Sequence, residues 1–284
     1  MALVTAESIA DLRSHVRDAR LSGQTVGCVP TMGALHSGHI SLIEAARRET
    51  DFVVVTIFVN PTQFGPNEDY SRYPRPLEDD LAKCRDAGVD LVFHPATDVV
   101  YPGDEMTFVD VPKLSSTLEG AHRPGHFRGV ATIVLKLFNM VQPDVAFFGR
   151  KDYQQQLLIR HLVRDLDLPI EIRTCPTVRE DDGLALSSRN AYLSEDERQT
   201  ALALSRSLQM ACELCQDGTS PADARRAMQE LLEATDGLVL DYATIADAEA
   251  LEELDESVGE MVGLIAARVG STRLIDNMPI RLEP

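Results

Sequence analysis

Positive charge is scarce in this chain. Its 284 residues carry 27 lysines and arginines against 45 aspartates and glutamates, a formal net charge of −18. Proteins that bind nucleic acid need a basic stripe to neutralise phosphates, so no nucleic-acid partner is expected. The acidic surplus reads as a solubility feature. Long apolar runs are missing too. None approaches the ~20 residues that span a bilayer, and no membrane segment is expected. The first residues lack a basic stretch followed by an apolar one, which argues against a signal peptide and for a cytoplasmic chain. Cysteine is limited to five, an odd number, and free thiols are expected. Cys212 and Cys215 have CxxC spacing, but they fall within a helical pattern with no second pair and no neighbouring histidine, which does not support a zinc or redox centre. Repeats and low-complexity segments are absent. What remains is an ordinary globular composition, 44% hydrophobic and 25% charged, long enough for one large α/β domain and a smaller one.

One stretch stands out. Residues 25–29 are short and mostly apolar, as in a buried parallel strand. After it Ile40, Ile43 and Ala46 recur at helical spacing, so a helix starts near Ser37. Between them Pro30, Gly33 and Gly38 mark a tight turn in which backbone can approach a ligand closely. His36 and His39 stand three apart at the helix entrance. A helix N-terminus offers unpaired N–H groups and the positive end of the dipole, and imidazole donors placed there would grip a phosphate. The competing reading, that the two histidines only cap the helix and pack, is disfavoured by their His-x-Gly-His spacing after a strand and a glycine turn.

The rest of the chain alternates. Residues 5–21 read as an amphipathic helix with Ile9, Leu12, Val16 and Ala19 on one face. The β-branched run 52–59 is apolar on both faces and reads as a central strand. It leads into Asn60 and Gln63 at a carboxyl edge, where open α/β sheets bind ligands. A loop at 65–76 holds Tyr70 and Tyr73, and a helix at 77–87 precedes a strand at 91–93. Residues 95–129 carry Pro102, Pro112 and Pro124 with two short strand-like pieces; so long an excursion reads as a lid or binding loop. Its Arg123 and His126 form a small positive cluster suited to a carboxylate. Helices at 129–142 and 153–166 alternate with strands at 145–148, 170–173 and 177–179. The pattern predicts an α/β fold with a doubly wound, mostly parallel sheet. Composition shifts after Tyr192. Ser194 caps an acidic helix start, giving helices at 195–217 and 221–235 and strand-like runs at 238–245, 260–268 and 273–276. The expected division is a first domain at 1–185 and a smaller α+β domain at 186–284, the latter a lid hinged beside residues 186–190.

Four strings carry a family resemblance. His-Ser-Gly-His resembles the HxGH signature of the class I nucleotidyltransferase superfamily, shared with class I aminoacyl-tRNA synthetases. The longer VPTMGALHSGHISL at 29–42, with FVNPTQF at 58–64, FGRKDYQQ at 148–155 and TVRE…GLALSSRN at 177–190, is similar to the pantothenate synthetase (pantoate–β-alanine ligase) family. The resemblance implies a Rossmann-like sheet of the HxGH type and an ATP-dependent ligase. In such an enzyme pantoate's carboxylate attacks the α-phosphorus of ATP, giving pantoyl adenylate and pyrophosphate, and β-alanine's amine then displaces AMP to give pantothenate.

Residue by residue, the resemblance implies catalytic roles for His36, His39 and Lys151. It implies an ATP site that adds Met32, Gly33, Gly38, Gly149, Asp152, Val178 and Leu186 to those three. Ser187, Ser188 and Arg189 resemble the counterpart of the second synthetase signature, KMSKS, with hydroxyls and a guanidinium to hold the outer phosphates. Gln63 and Gln155 match the glutamines that hold pantoate, since an amide both donates to and accepts from hydroxyls; Gln154 and Gln156 read as helix surface. Asn60, Tyr73, Arg123 and His126 are second-rank candidates for the substrate pocket. Mg²⁺ is expected with ATP, with Asp79 and Asp80 as candidate ligands, although Glu78-Asp79-Asp80 is also an ordinary acidic helix start. A homodimer is implied, with only the small molecules pantoate, β-alanine and ATP as further partners. Arg150 stands where the family often has glutamate and Leu186 where it often has methionine; neither removes a group with a direct chemical role. Two rivals are a nucleotidyltransferase that joins a nucleotide to a phosphate ester and a non-catalytic nucleotide sensor.

Overall fold

Strands of β-branched residues alternating with amphipathic helices build a parallel sheet in the first half of the chain. The computed structural model describes residues 3–282 except 67 and 104. The chain divides into two compact units, one formed by Met1–Arg150 with Gln154–Pro176 and the other by Lys151–Tyr153 with Thr177–Pro284.

The first unit holds six strands, β1 (Val4–Ala6), β2 (Val26–Thr31), β3 (Phe52–Ile57), β4 (Leu91–Phe93), β5 (Val145–Gly149) and β6 (Glu171–Cys175). Their order is β1-β4-β3-β2-β5-β6 and every pairing is parallel. Helices cover both faces, which is why the central strands are apolar on both sides. On one face Val53, Val55 and Phe147 pack with Ile43 and Ala46 of α2 (Ser37–Glu49) and Cys84 of α3 (Leu77–Asp86). Successive strand residues point to opposite faces. Thus Phe148 meets Phe138 of α7 (His126–Val141) edge-on, with ring centroids 6.3 Å apart. Helix α1 (Ile9–Leu21) packs beside α7. From β2 the sheet grows one way through β3 and β4, and from β5 the other way to β6. The direction reverses between the adjacent strands β2 and β5, and the crevice at their carboxyl ends is where doubly wound sheets bind ligands.

Two expectations in this unit are corrected. The helix expected from residue 5 begins at Ile9, where Ser8 accepts the Asp11 N–H, and Val4–Ala6 is instead an edge strand on β4. The strand-like pieces at 95–129 are short helices among the described residues: α4 (Thr97–Val100), α5 (Pro112–Ser115) and α6 (Glu119–His122). Pro112 starts α5, the position at which its missing N–H costs nothing. Helix α8 (Tyr153–Asp165) follows β5.

In the second unit β7 (Leu238–Asp247), β8 (Glu260–Val269) and β9 (Thr272–Arg281) form an antiparallel sheet in that order. Helices α9 (Glu195–Gln216) and α10 (Pro221–Glu233) bury Leu204, Leu208, Met228 and Leu232 against Ile245, Ile265 and Ile280. Ser194 and Glu197 make a reciprocal capping box at the start of α9. β9 continues past the expected residue 276 through Pro279, which lacks an N–H and is tolerated because β9 is an edge strand. Residues 177–179, expected as a strand, make only an isolated bridge, Arg179 to Ala185. The expected boundary at 186 lies inside this unit. Among the described residues no helix is long and apolar enough to cross a membrane.

Candidate active site

At the end of β2 the chain turns through Met32–Leu35, with Gly33 at φ +80° and Ala34 at φ +51°. A side chain on Gly33 would place Cβ 2.9 Å from Asp80 Oδ2. That carboxylate is what holds the turn: Oδ2 accepts the Ala34 N–H at 2.8 Å and Oδ1 the Leu35 N–H at 2.7 Å. Lys83, one turn further along α3, donates to the Leu35 carbonyl at 2.6 Å. Helix α3 therefore shapes the loop from which α2 departs.

His36 is the N-cap of α2, in extended conformation, and His39 is its third residue. The His36 backbone N–H donates to His39 Nδ1 at 3.3 Å, and the two rings lie 4.1 Å apart at 41°. Since Nδ1 accepts, neutral His39 carries its proton on Nε2 and presents a donor there. Capping and anion binding are thus compatible: one ring nitrogen orders the helix start and the other is a donor beside the orphan N–H groups of α2.

At the end of β3 the chain enters a short 3₁₀ turn, Pro61–Gln63, capped by Asn60. Asn60 is 1% exposed. Its Oδ1 accepts from the Thr62 N–H and hydroxyl and from the Tyr101 hydroxyl, and its Nδ2 donates to Gln63 Oε1 at 3.1 Å and to the Gly129 carbonyl at 3.2 Å. Gln63 Nε2 donates to the Met32 sulfur at 3.0 Å, which links the ends of β2 and β3. The approach of α7 requires Gly129, where a Cβ would lie 2.3 Å from the Thr62 carbonyl oxygen.

Arg123 and His126 do not form the open positive cluster expected of them. Arg123 makes a two-pronged pair with Glu68, both bonds 2.7 Å. Burial opposes the Glu68 charge, but the Arg123 bonds outweigh it and hold the carboxyl below its usual range. His126 is buried; its Nδ1–H donates to the Gln63 carbonyl at 2.8 Å, and Nε2 accepts from Arg123 at 3.0 Å. Burial, then the Arg123 charge, push its pKa down to about 4, so the ring is neutral. The pair therefore supports Gln63 from behind. Tyr73 is buried, edge-on to Phe64 at 5.9 Å.

The three glutamines of α8 separate clearly. Gln154 and Gln156, expected on the helix surface, are buried and engaged: Gln154 binds the Glu119 N–H and the Leu114 and Thr117 carbonyls, and Gln156 accepts from Thr174. Gln155 is half-buried and has no side-chain hydrogen bond among the described residues, which leaves its amide for a ligand. Gly149 closes β5, and a Cβ there would meet nothing within 4 Å.

In the second unit the carbonyl of Lys151 accepts from Asn277 Nδ2 at 2.7 Å, and the Tyr153 hydroxyl donates to the Ala248 carbonyl at 2.9 Å. Asp152, between them, is exposed. Residues 178–186 form a small hairpin: Leu186 N–H donates to the Val178 carbonyl at 3.0 Å, and Arg179 grips Asp276 of β9 through both guanidinium nitrogens at 2.7 and 2.9 Å. Arg198 of α9 binds Glu180 and Asp182 from the other side. Ser187, Ser188 and Arg189 follow directly, with Ser187 Oγ accepting the Arg189 N–H at 3.2 Å and capping the 3₁₀ turn Ser188–Tyr192. The motif is half-buried on a braced support rather than on a loose loop.

For a metal the fit is poor. Both oxygens of Asp80, a residue only 1% exposed, are engaged by backbone N–H groups, while Asp79 is exposed. Among the described residues no group of three or more His, Cys, Asp or Glu side chains could hold an ion. Sequence reasoning did not find Lys83, Glu68 or Tyr101. Each acts through a contact more than forty residues away, 48, 55 and 41 respectively, for which no local pattern exists.

A doubly wound parallel sheet with a His-x-Gly-His helix start at the carboxyl edge of its central strand defines the class: an α/β protein of the kind whose ligands bind at that edge. Within that class the chain belongs to the pantoate–β-alanine ligase family, whose model matches residues 4–279. It is 52% identical over 278 residues to the pantothenate synthetase of Moorella thermoacetica, covering 98% of each chain. The pantothenate synthetase of Geobacter sulfurreducens is 50% identical over 272 residues, covering 95% of this chain and 96% of its own. Among solved structures, the pantothenate synthetase of Thermus thermophilus superposes with a TM-score of 0.93 at 49% identity, covering 98% of this chain and 99% of its own. The pantoate–β-alanine ligase of Francisella tularensis, complexed with β-γ ATP and β-alanine, gives 0.79 at 36% identity, covering 98% and 97%.

Proposed function

We propose that this chain condenses pantoate with β-alanine to pantothenate at the expense of ATP, through pantoyl adenylate, releasing pyrophosphate and then AMP. The observation that carries the reading is the end-to-end similarity to pantothenate synthetases, within which His36 and His39 stand at the α2 entrance. A free carboxylate is a poor acyl donor, and adenylation supplies the leaving group. In that step negative charge grows on the phosphoryl oxygens. His39 Nε2–H and the α2 N-terminus meet this charge at the α-phosphate, with His36 beside them. Lys151 follows the departing pyrophosphate as a mobile point charge. Ser187, Ser188 and Arg189 hold the outer phosphates, and the backbone of Met32, Gly33, Gly38, Gly149, Val178 and Leu186, with Asp152, seats the nucleotide. Gln63 and Gln155 hold pantoate. Mg²⁺ would have to be supplied together with ATP, where it would offset phosphate charge, since Asp79 and Asp80 are not arranged to seat it. The chain works as a cytoplasmic homodimer in this reading.

Pyrophosphate exchange into ATP tests it directly. Exchange should require pantoate and should be followed by pantothenate formation when β-alanine is added. Exchange driven by a phosphate ester instead would make the protein a nucleotidyltransferase, and ATP binding without exchange would make it a sensor.

A further inference from the structure

Gln63 has a fixed polarity, and its origin is the backbone around Asn60. The backbone settles which way the Asn60 amide faces: the Thr62 N–H can only donate, to Oδ1 at 3.3 Å, and the Gly129 carbonyl can only accept, from Nδ2 at 3.2 Å. Asn60 Nδ2 therefore donates its other hydrogen to Gln63 Oε1 at 3.1 Å, and Gln63 Nε2 is left as the outward end, with the Met32 sulfur as its partner. A thioether is a weak acceptor, so this end has hydrogen-bonding capacity for a ligand oxygen. Into Asn60 Oδ1, from the far side, the Tyr101 hydroxyl donates at 2.9 Å. The Tyr101 ring is held by Phe58 at 6.1 Å and by the Lys136 ammonium 4.6 Å above its centre, so the hydroxyl is well aimed. Burial, with the nearby Glu105 charge adding to it and a Thr62 bond opposing it, raises the phenol's pKa, and the group stays a donor at neutral pH.

We propose that Tyr101 is a positioning residue for the acid substrate: donation from its hydroxyl into Asn60 polarises two amides in series and presents Gln63 Nε2–H, as a strengthened donor, to an oxygen of pantoate. Hydrogen bonds in such a chain reinforce one another, because donation into an amide oxygen makes the same amide's N–H a better donor. Gln63 accordingly acts as a donor only and reads an acceptor on the substrate. This rests on the ligase reading above.

The test is a double-mutant cycle in the intact enzyme, read as KM for pantoate and for ATP. Tyr101→Phe, which removes only the hydroxyl, should raise the pantoate KM by about fivefold or more while leaving the ATP KM and the melting temperature near wild type. In a Gln63→Ala background the same change should alter the pantoate KM by less than about twofold, since a relay without its end has nothing to transmit. Gln63→Glu can still accept from Asn60 but offers no outward donor, and it should weaken pantoate at least as much as Gln63→Ala. Additive effects of Tyr101→Phe and Gln63→Ala, no effect of Tyr101→Phe on the pantoate KM, or wild-type pantoate affinity in Gln63→Glu would overturn the relay. A wild-type enzyme without pantoate-dependent exchange would instead overturn the ligase reading, a result distinct from any of these.

Discussion

Asp80 shows how a single carboxylate can be read two ways. By position it is half of an acidic pair that could hold magnesium; by contact it ties down two N–H groups in a turn where Ala34 takes a left-handed conformation that a side chain disfavours. Asp80→Asn keeps one acceptor and turns an NH₂ toward the other N–H. It should destabilise the fold by about 1–3 kcal/mol, the cost of an unsatisfied buried group. The magnesium concentration for half-maximal activity should not move; a large increase would restore the metal role. His126 gives a second prediction, with its sign set by burial. Its ordinary pKa is 6.5 and its folded value about 4, so below pH 6.5 the unfolded chain takes up a proton that the folded chain refuses. The stabilisation is complete above pH 6.5 and declines as pH falls toward 4, by up to about 3 kcal/mol. Between about pH 5 and 6.5, where most carboxylates remain ionised, the melting temperature should fall faster in wild type than in His126→Gln. Equal slopes would mean that the ring is already charged in the folded state. Neither role was legible in the sequence. Arg123 looked like a free cation because Glu68, which pairs with it, lies 55 residues earlier.

Elements were legible where their pattern is internal. The β-branched run of β3 is buried on both faces and announces a central strand, and the cap and acidic first turn of α9 announce a helix start. β1 was not legible, because three residues at a sheet edge owe their conformation to β4 and carry no period of their own. Helix α7 began three residues earlier than its apolar pattern suggested, at His126, whose side chain belongs to the contact with the Pro61–Gln63 turn. That contact depends on Gly129. Its hydrogen stands where a methyl group would lie 2.3 Å from the Thr62 carbonyl oxygen and 2.8 Å from Gln63 Cα. Backbone cannot yield as a flexible side chain can, so Gly129→Ala must push the turn away from α7. Overpacking of this kind costs typically ~1–3 kcal/mol. Because the displaced segment carries Gln63, the pantoate KM should rise more than the ATP KM. A variant that loses both affinities in proportion would show general loosening of the unit rather than displacement of one turn.

On the scale of the whole molecule the candidate groups are divided, the two histidines on the first unit and Lys151 with Ser187–Arg189 on the second. The family strings displayed this set in the sequence, but the hairpin clamp of Arg179 on Asp276 was not displayed, since the partners stand 97 residues apart. The division also suggests a separation of labour between the two half-reactions. Adenylate formation expels pyrophosphate, a polyanion, whereas amide formation expels AMP with a single phosphate and develops its first charge on the acyl oxygen. His39 is fixed: its Nδ1 is engaged by the His36 N–H at the start of α2, and in the proposed mechanism its Nε2 donor is assigned to the α-phosphate in both steps. Among the described residues Lys151 is held through its carbonyl alone, and it carries its charge on a flexible four-carbon stem. Lys151→Ala should therefore slow adenylate formation by ~10²–10³, the scale of losing one transition-state donor, and slow turnover of supplied pantoyl adenylate with β-alanine much less. His39→Ala should damage both. Single-turnover measurements with synthetic adenylate separate the steps. Equal slowing of both halves by Lys151→Ala would move that ammonium from the pyrophosphate to the α-phosphate or the acyl group, where its charge would be needed twice.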